Sequence, residues 1–121
     1  MAEIREIAKE TIVFLEGEIP DNMYVVKSGK FEIIKNINGI DTKVSEVNQG
    51  ELIGEMALFD LKPRSATIKA VEDSVVVVLP YVNLLDQMDK LPEWVKIVMR
   101  TLSEKLRVTT ERLLLVEKSQ K

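Results

Sequence analysis

Glu55 and Arg64 are the charged residues of this chain best placed to do chemistry together. They fall within one short stretch, Gly54-Glu55-Met56-Ala57-Leu58-Phe59-Asp60-Leu61-Lys62-Pro63-Arg64-Ser65-Ala66-Thr67. A turn with free backbone N–H groups at the start of a short helix is a natural anion site. An arginine a few residues on can close over the same anion as a bidentate clamp. Glu55 does not suit a bare phosphate, because like charges repel, but its carboxylate accepts hydrogen bonds and therefore suits a neighbouring hydroxyl. A small ligand with a phosphate and a free hydroxyl on one sugar meets both demands. Each residue also has a plainer reading. Glu55 suits a helix start on macrodipole grounds alone, and Arg64 is open to an internal ion pair with Glu55.

The elements around this stretch must hold it in place, and their periods differ. Residues 1–10 alternate apolar and charged positions (Ile4, Ile7, Ala8) and are expected to form one or two helical turns. From Thr11 the chain turns to short β-branched and aromatic runs. Thr11–Leu15, Met23–Lys27, Phe31–Lys35, Ile40–Val47, Arg64–Val71 and Val75–Leu79 read as strands. Asn38-Gly39 is the strongest turn signal between them, because a type I′ hairpin needs φ > 0 at both central positions. Arg64 shares one face of its run with Ala66, Ile68 and Ala70, and Ser65 shares the other with Thr67 and Lys69. Placed toward a strand-built interior, Arg64 needs an anion to avoid a costly unpaired charge. Val75–Leu79 is apolar throughout, as in a strand covered on both faces. Strands at this spacing indicate a closed or sandwiched β architecture.

Past Tyr81 the period becomes helical. Tyr81–Met88 forms a short helix, Leu91-Pro92 breaks it, and residues 92–118 contain no Gly or Pro. Within that long helix Val95, Met99, Leu102, Leu106, Thr109, Leu113 and Val116 alternate spacings of four and three, which is a heptad seam and a dimerisation signal. Leu91, Trp94 and Val98 form a second apolar face, expected to pack on the strands.

Composition removes several function classes. The 121 residues are 45% hydrophobic and 31% charged, enough for a single domain with one core. With no cysteine and no histidine, disulfides, Cys/His zinc sites and His-dependent triads are excluded. An enzyme is not expected, since a Glu–Arg pair alone is a binding motif. The net charge of −3 has the wrong sign for nucleic-acid binding. No run approaches the roughly 18 consecutive apolar residues of a membrane span. Glu3, Arg5 and Glu6 interrupt any signal peptide, so a cytoplasmic location is expected.

Gly54-Glu55-Met56-Ala57-Leu58 followed by Arg64-Ser65-Ala66-Thr67 resembles the phosphate-binding cassette of cyclic nucleotide-binding domains. Glu16-Gly17-Glu18, Asp21 and Met23–Gly29 are similar to that family's opening strands. The resemblance implies an antiparallel β-roll or jelly-roll barrel, mostly β with flanking helices (α+β), a short phosphate-binding helix and a long C-terminal helix. The domain would divide into a helical lead (1–10), the roll (11–80) with its cassette (54–67), and C-terminal helices (81–121).

The same resemblance implies roles for individual residues. Glu55 would accept from the ribose 2′-hydroxyl, and Arg64 would bind the exocyclic oxygens of a cyclic phosphate. Backbone N–H groups near Gly54, Met56 and Ala57 would complete the cradle. Ser65 tilts the choice toward cAMP, where threonine would often accompany guanine preference. Val26 and Val44 match apolar pocket walls, although core packing explains them equally well. Lys105–Arg112 resembles the C-helix of the family's catabolite activator branch, in which two adjacent hydroxyl residues, here Thr109 and Thr110, bind adenine from the two subunits of a dimer. A lone threonine in the seam could also serve only to set register. Transcription factors of that branch continue into a helix-turn-helix domain, and this sequence ends at Lys121, so DNA binding is not expected of it and the downstream effector stays open. The expectation is a homodimeric cAMP sensor with cAMP as regulatory ligand, no cofactor and no metal. The alternatives are a cGMP binder, or a degenerate roll that serves as a protein-interaction domain.

Overall fold

β-Branched runs assemble into two antiparallel sheets in the computed structural model, which describes residues 3–119 but not the side chains of residues 59, 60, 106, 107 and 109–119. The first sheet has the order β1 (Glu3–Ile7), β8 (Ser74–Pro80), β3 (Asn22–Ser28), β6 (Leu52–Ile53). The second has the order β2 (Ile12–Phe14), β7 (Thr67–Ala70), β4 (Lys30–Ile37), β5 (Ile40–Asn48). One core lies between them. Ile7, Tyr24, Val26, Ile53, Val76 and Val78 point into it from the first sheet, and Phe14, Phe31, Val47, Ile68 and Ala70 from the second. Phe31, Val26 and Val76 are its largest fully buried side chains, and burial of each is worth about 1.5–3 kcal/mol. The mostly-β expectation holds in its sandwiched form: the sheets are open at their edges rather than closed into a barrel.

The helical lead expected over residues 1–10 is instead strand β1, paired with β8 from Glu3↔Val78 to Ile7↔Ser74. The physical reason lies in β8. Its all-apolar run sits inside a sheet, and β1 supplies the neighbour that satisfies its outer backbone groups. Ile4 and Ile7, spaced like one helical face, belong to a strand whose first four residues are exposed and whose last enters the core. The strand content of the domain thus begins before Thr11. β6 was not anticipated either, since two residues carry no periodicity.

The Asn38-Gly39 hairpin is present, with φ of 56° and 83° joining β4 to β5. Further along this pair Ile33 faces Ser45 and Ile34 faces Lys43, which leaves Val44 as the extra residue of a bulge.

The helices close one end of the sandwich. α1 (Ala57–Asp60) and α2 (Tyr81–Met88) meet in a smaller cluster of Met23, Ala57, Leu58 and Tyr81, flanked by Leu79, Leu84, Leu85 and Met88. This cluster anchors the cassette to the ends of β3 and β8. α3 (Glu93–Ser119) follows. Its second apolar face does not pack on the strands as expected: Leu91, Trp94 and Val98 are exposed. Val95, Lys96 and Met99 are half-buried and Ser103 is buried instead. A helix has room for one inward stripe, and 95, 99 and 103 repeat at the spacing of a single helical face.

Candidate functional site

The cassette begins where β6 ends. Gly54 takes φ of +85°, a conformation in which a side chain is strained, and a Cβ built there would stand 2.6 Å from Arg64 Nη1 and 3.0 Å from the Tyr81 hydroxyl. A glycine is therefore required both by backbone conformation and by the close approach of the arginine. Met56 then leads into α1, and Leu61 ends it in the left-handed region at φ 50°.

Arg64 lies just before β7, and its backbone is fixed by a reciprocal pair of bonds. Its N–H donates to Glu18 O (2.8 Å), and its carbonyl accepts from Gly17 N (2.8 Å). The alternation expected along this run is observed, with Arg64, Ala66, Ile68 and Ala70 buried and Ser65 exposed. The Arg64 residue is only 5% exposed. Nη2 donates to the Asn22 carbonyl (2.7 Å) and Nη1 to the Tyr81 hydroxyl (3.0 Å). The Tyr81 hydroxyl donates in turn to the Gly54 carbonyl. The guanidinium carbon lies 3.8 Å from the centre of the Phe14 ring, where the face of the ring attracts a cation.

The charge partner of this guanidinium is not Glu55. Among the described residues the carboxylate that approaches it is that of Asp21, at 3.8 Å from Nη2 and on a largely exposed side chain. That distance is long for a hydrogen bond, so the positive charge is held chiefly by neutral acceptors and a ring. Burial raises the Tyr81 phenol above its ordinary pKa, and the nearby Arg64 charge opposes that shift without reversing it. The phenol therefore stays protonated at neutral pH and keeps its bond to Gly54. Glu55 is half-buried, and its carboxylate makes no hydrogen bond to a described residue.

The other expected site residues are spread more widely. Met56 and Ala57 sit at the start of α1, and the Ala57 N–H finds no acceptor among the described residues. The Ser65 carbonyl accepts from Lys35 Nζ (2.7 Å), with its side chain outward. Val26, 1% exposed, is a core residue. Val44 is half-buried at the β5 bulge. α3 runs through positions 109 and 110, whose side chains lie outside the described residues, as do those of seam positions 106, 113 and 116. Sequence reading missed Phe14, Asn22 and Tyr81, and it noted Asp21 without linking it to Arg64. The one usable signal was Tyr81, an aromatic with a polar tip opening a helix directly after Pro80. Among the described residues no group of acidic, histidine or cysteine side chains could hold a metal, and no helix is long and apolar enough to cross a membrane.

Known proteins resemble this chain in sequence and in fold. The cAMP-dependent protein kinase regulatory subunit of Blastocladiella emersonii is 38% identical over 77 residues, 63% of this chain and 19% of that protein. The cyclic AMP receptor protein of Thermus thermophilus is 33% identical over 81 residues, 66% of this chain and 38% of that protein. The chain thus spans less than half the length of the curated relatives it matches. Among solved structures, the Thermus thermophilus catabolite activator protein superposes with a TM-score of 0.75 at 28% identity, covering 96% of this chain and 55% of that one. The cAMP-bound form of the EAL enzyme Bd1971 gives a TM-score of 0.78 at 28% identity, covering 96% and 32%. The model of the cyclic nucleotide-binding domain matches residues 4–90, most of the chain and all of the cassette, and this chain belongs to that family.

Proposed function

We propose that this domain is a cAMP sensor in which Arg64 takes the cyclic phosphate, Glu55 takes the ribose hydroxyl, and the backbone N–H groups of Met56 and Ala57 complete the phosphate cradle. The observation that carries this is the buried guanidinium of Arg64, held beside Gly54 by neutral partners, while the nearest carboxylate among the described residues stands 3.8 Å away. A charge-assisted hydrogen bond is worth roughly 1.5–3 kcal/mol, whereas micromolar affinity needs about 8 kcal/mol. Arg64 supplies only part of that, and the cradle, Glu55 and contacts to the base supply the rest. Ser65 and an apolar wall at Val44 complete the proposed site, with Thr109 and Thr110 reading adenine from α3, while Val26 belongs to the core and leaves the set of ligand contacts. In this reading the domain regulates and does not catalyse.

A dimer through α3 follows from the same reading. The helix leaves Trp94, Ile97, Val98, Leu102 and Val108 exposed, an apolar stripe that a second copy would cover and extend toward Leu106, Leu113 and Val116. Val95 and Met99, at the start of the seam, are already half-buried within one chain. Sedimentation at tens of micromolar is expected to give a dimer, and a clean monomer would remove the cross-subunit role of Thr110.

The second reading is cGMP, favoured by the cGMP-bound form of Bd1971, which superposes with a TM-score of 0.76 at 30% identity. Titration calorimetry with both nucleotides separates the two. We expect micromolar binding of cAMP and weaker binding of cGMP. Reversed affinities would assign the guanine ligand, and no heat from either nucleotide at hundreds of micromolar would overturn the sensor reading.

A further inference from the structure

α3 is joined to the cassette through a polar contact, where an apolar one would be the ordinary choice. Among its described side chains only Ser103 is buried. The Ser103 hydroxyl donates to the Met56 carbonyl at 3.2 Å, and this is the one described hydrogen bond from α3 to the cassette or the sheets. Val95 and Met99, on the same face as Ser103, are only half-buried, and Trp94, Ile97, Val98, Leu102 and Val108 are exposed. The helix also lies beyond the family match, which ends at residue 90.

The acceptor gives the contact its meaning. The Met56 carbonyl and the Ala57 N–H belong to one planar trans peptide and point in opposite directions. Ser103 holds one end of that unit, and the other end is an N–H on a buried residue with no described acceptor. We propose that Ser103 is a positioning residue for the nucleotide phosphate: by bonding the Met56 carbonyl it fixes the Met56–Ala57 peptide so that the Ala57 N–H is aimed at the ligand. This rests on the cassette reading given above. The coupling runs both ways. An anion on the N–H polarises the peptide and makes its carbonyl a stronger acceptor, so bound nucleotide tightens α3 onto the cassette, as thermodynamic linkage requires. A pre-aimed N–H also spares the ligand the cost of ordering it.

The test uses the full chain with cAMP as probe, comparing wild type, Ser103→Ala and Ser103→Thr by titration calorimetry and by hydrogen exchange of α3. Loss of one ordinary hydrogen bond corresponds to about a fivefold change in an equilibrium constant. Ser103→Ala should bind cAMP about fivefold more weakly and lose the slowing of α3 exchange that cAMP produces in wild type. Ser103→Thr, which keeps the hydroxyl, should restore both. A role confined to packing would lower the melting temperature of Ser103→Ala and leave its affinity intact. If wild type binds cAMP and Ser103→Ala binds it equally well, the positioning role is wrong while the sensor reading stands. The role also fails if Ser103→Thr binds no better than Ser103→Ala. If wild type itself does not bind, the sensor reading fails and the role of Ser103 falls with it.

Discussion

Replacing Arg64 with lysine is expected to weaken cAMP binding roughly ten- to hundredfold, with a much smaller change in the melting temperature of the ligand-free protein. Lysine keeps the positive charge and much of the stem but lacks the planar fork that meets two oxygens at once. The loss is that of one charge-assisted hydrogen bond, about 1.5–3 kcal/mol. Arg64→Ala should lose more affinity, but it is the less informative variant. Sequence reasoning alone treats this side chain as an anion-binding residue or one half of an ion pair with Glu55. In the folded domain the guanidinium joins the Asn22 carbonyl at the start of β3, the Tyr81 hydroxyl at the start of α2 and the Phe14 ring on β2. Truncation to alanine removes all of these and leaves a void above Phe14, so it should lower stability as well. Calorimetric titration beside thermal melts of both variants checks this. Unaltered cAMP affinity in Arg64→Lys would mean that the fork does not hold the phosphate.

Gly54→Ala should damage both folding and binding, by two separable routes. Left-handed backbone at a non-glycine residue costs about 1–3 kcal/mol. For a domain of this size that corresponds to a melting midpoint lower by roughly 4–12 °C. The new methyl would also stand 2.6 Å from Arg64 Nη1, which displaces the guanidinium from the proposed phosphate position. Gly50→Ala supplies the control, because Gly50 has a nearly identical φ of +86° and nothing within 4 Å of a built Cβ. Gly50→Ala should lose stability and keep its cAMP affinity, whereas Gly54→Ala should lose both. Equal affinities in the two variants would show that the approach of Arg64 to Gly54 has no bearing on the ligand.

What the sequence disclosed follows from the range of each signal. The alternation from Arg64 to Ala70 is local, and it placed Arg64 inside and Ser65 outside correctly. Asn38-Gly39 specified its hairpin because both φ values are set within the dipeptide. β1 was missed because Ile4 and Ile7, three residues apart, fit a helical face and not the period of two of a strand, and the deciding partner β8 lies some seventy residues away in sequence. The surroundings of Arg64 were hidden for the same reason. Asn22 acts through its backbone carbonyl, which no side-chain pattern reveals, and Tyr81 is brought to Gly54 by the docking of α2. On α3 Val95 and Met99, read as the start of a dimer seam, are half-buried within one chain, because a heptad pattern on a single helix does not say which stripe faces its own domain. Trp94 and Val98 face outward, and Ser103, polar and unremarked in the pattern, takes the buried position.

These observations bear on how a sensor of this design would signal. The cassette touches α2 through Tyr81 and α3 through Ser103. A ligand bound at Arg64 and Ala57, as proposed, would act on the starting points of both contacts. Only a ligand that binds one arrangement of these helices better than another can shift their equilibrium, and in the proposed reading these two contacts are where such a difference would arise.

A crystal structure of the chain grown with cAMP tests the central claim most directly. The account predicts exocyclic phosphate oxygens within about 3 Å of the Arg64 guanidinium, the usual hydrogen-bond distance, with the ribose hydroxyl on Glu55. Nucleotide bound with its phosphate away from Arg64, or crystals grown at saturating cAMP with no nucleotide at the cassette, would contradict it.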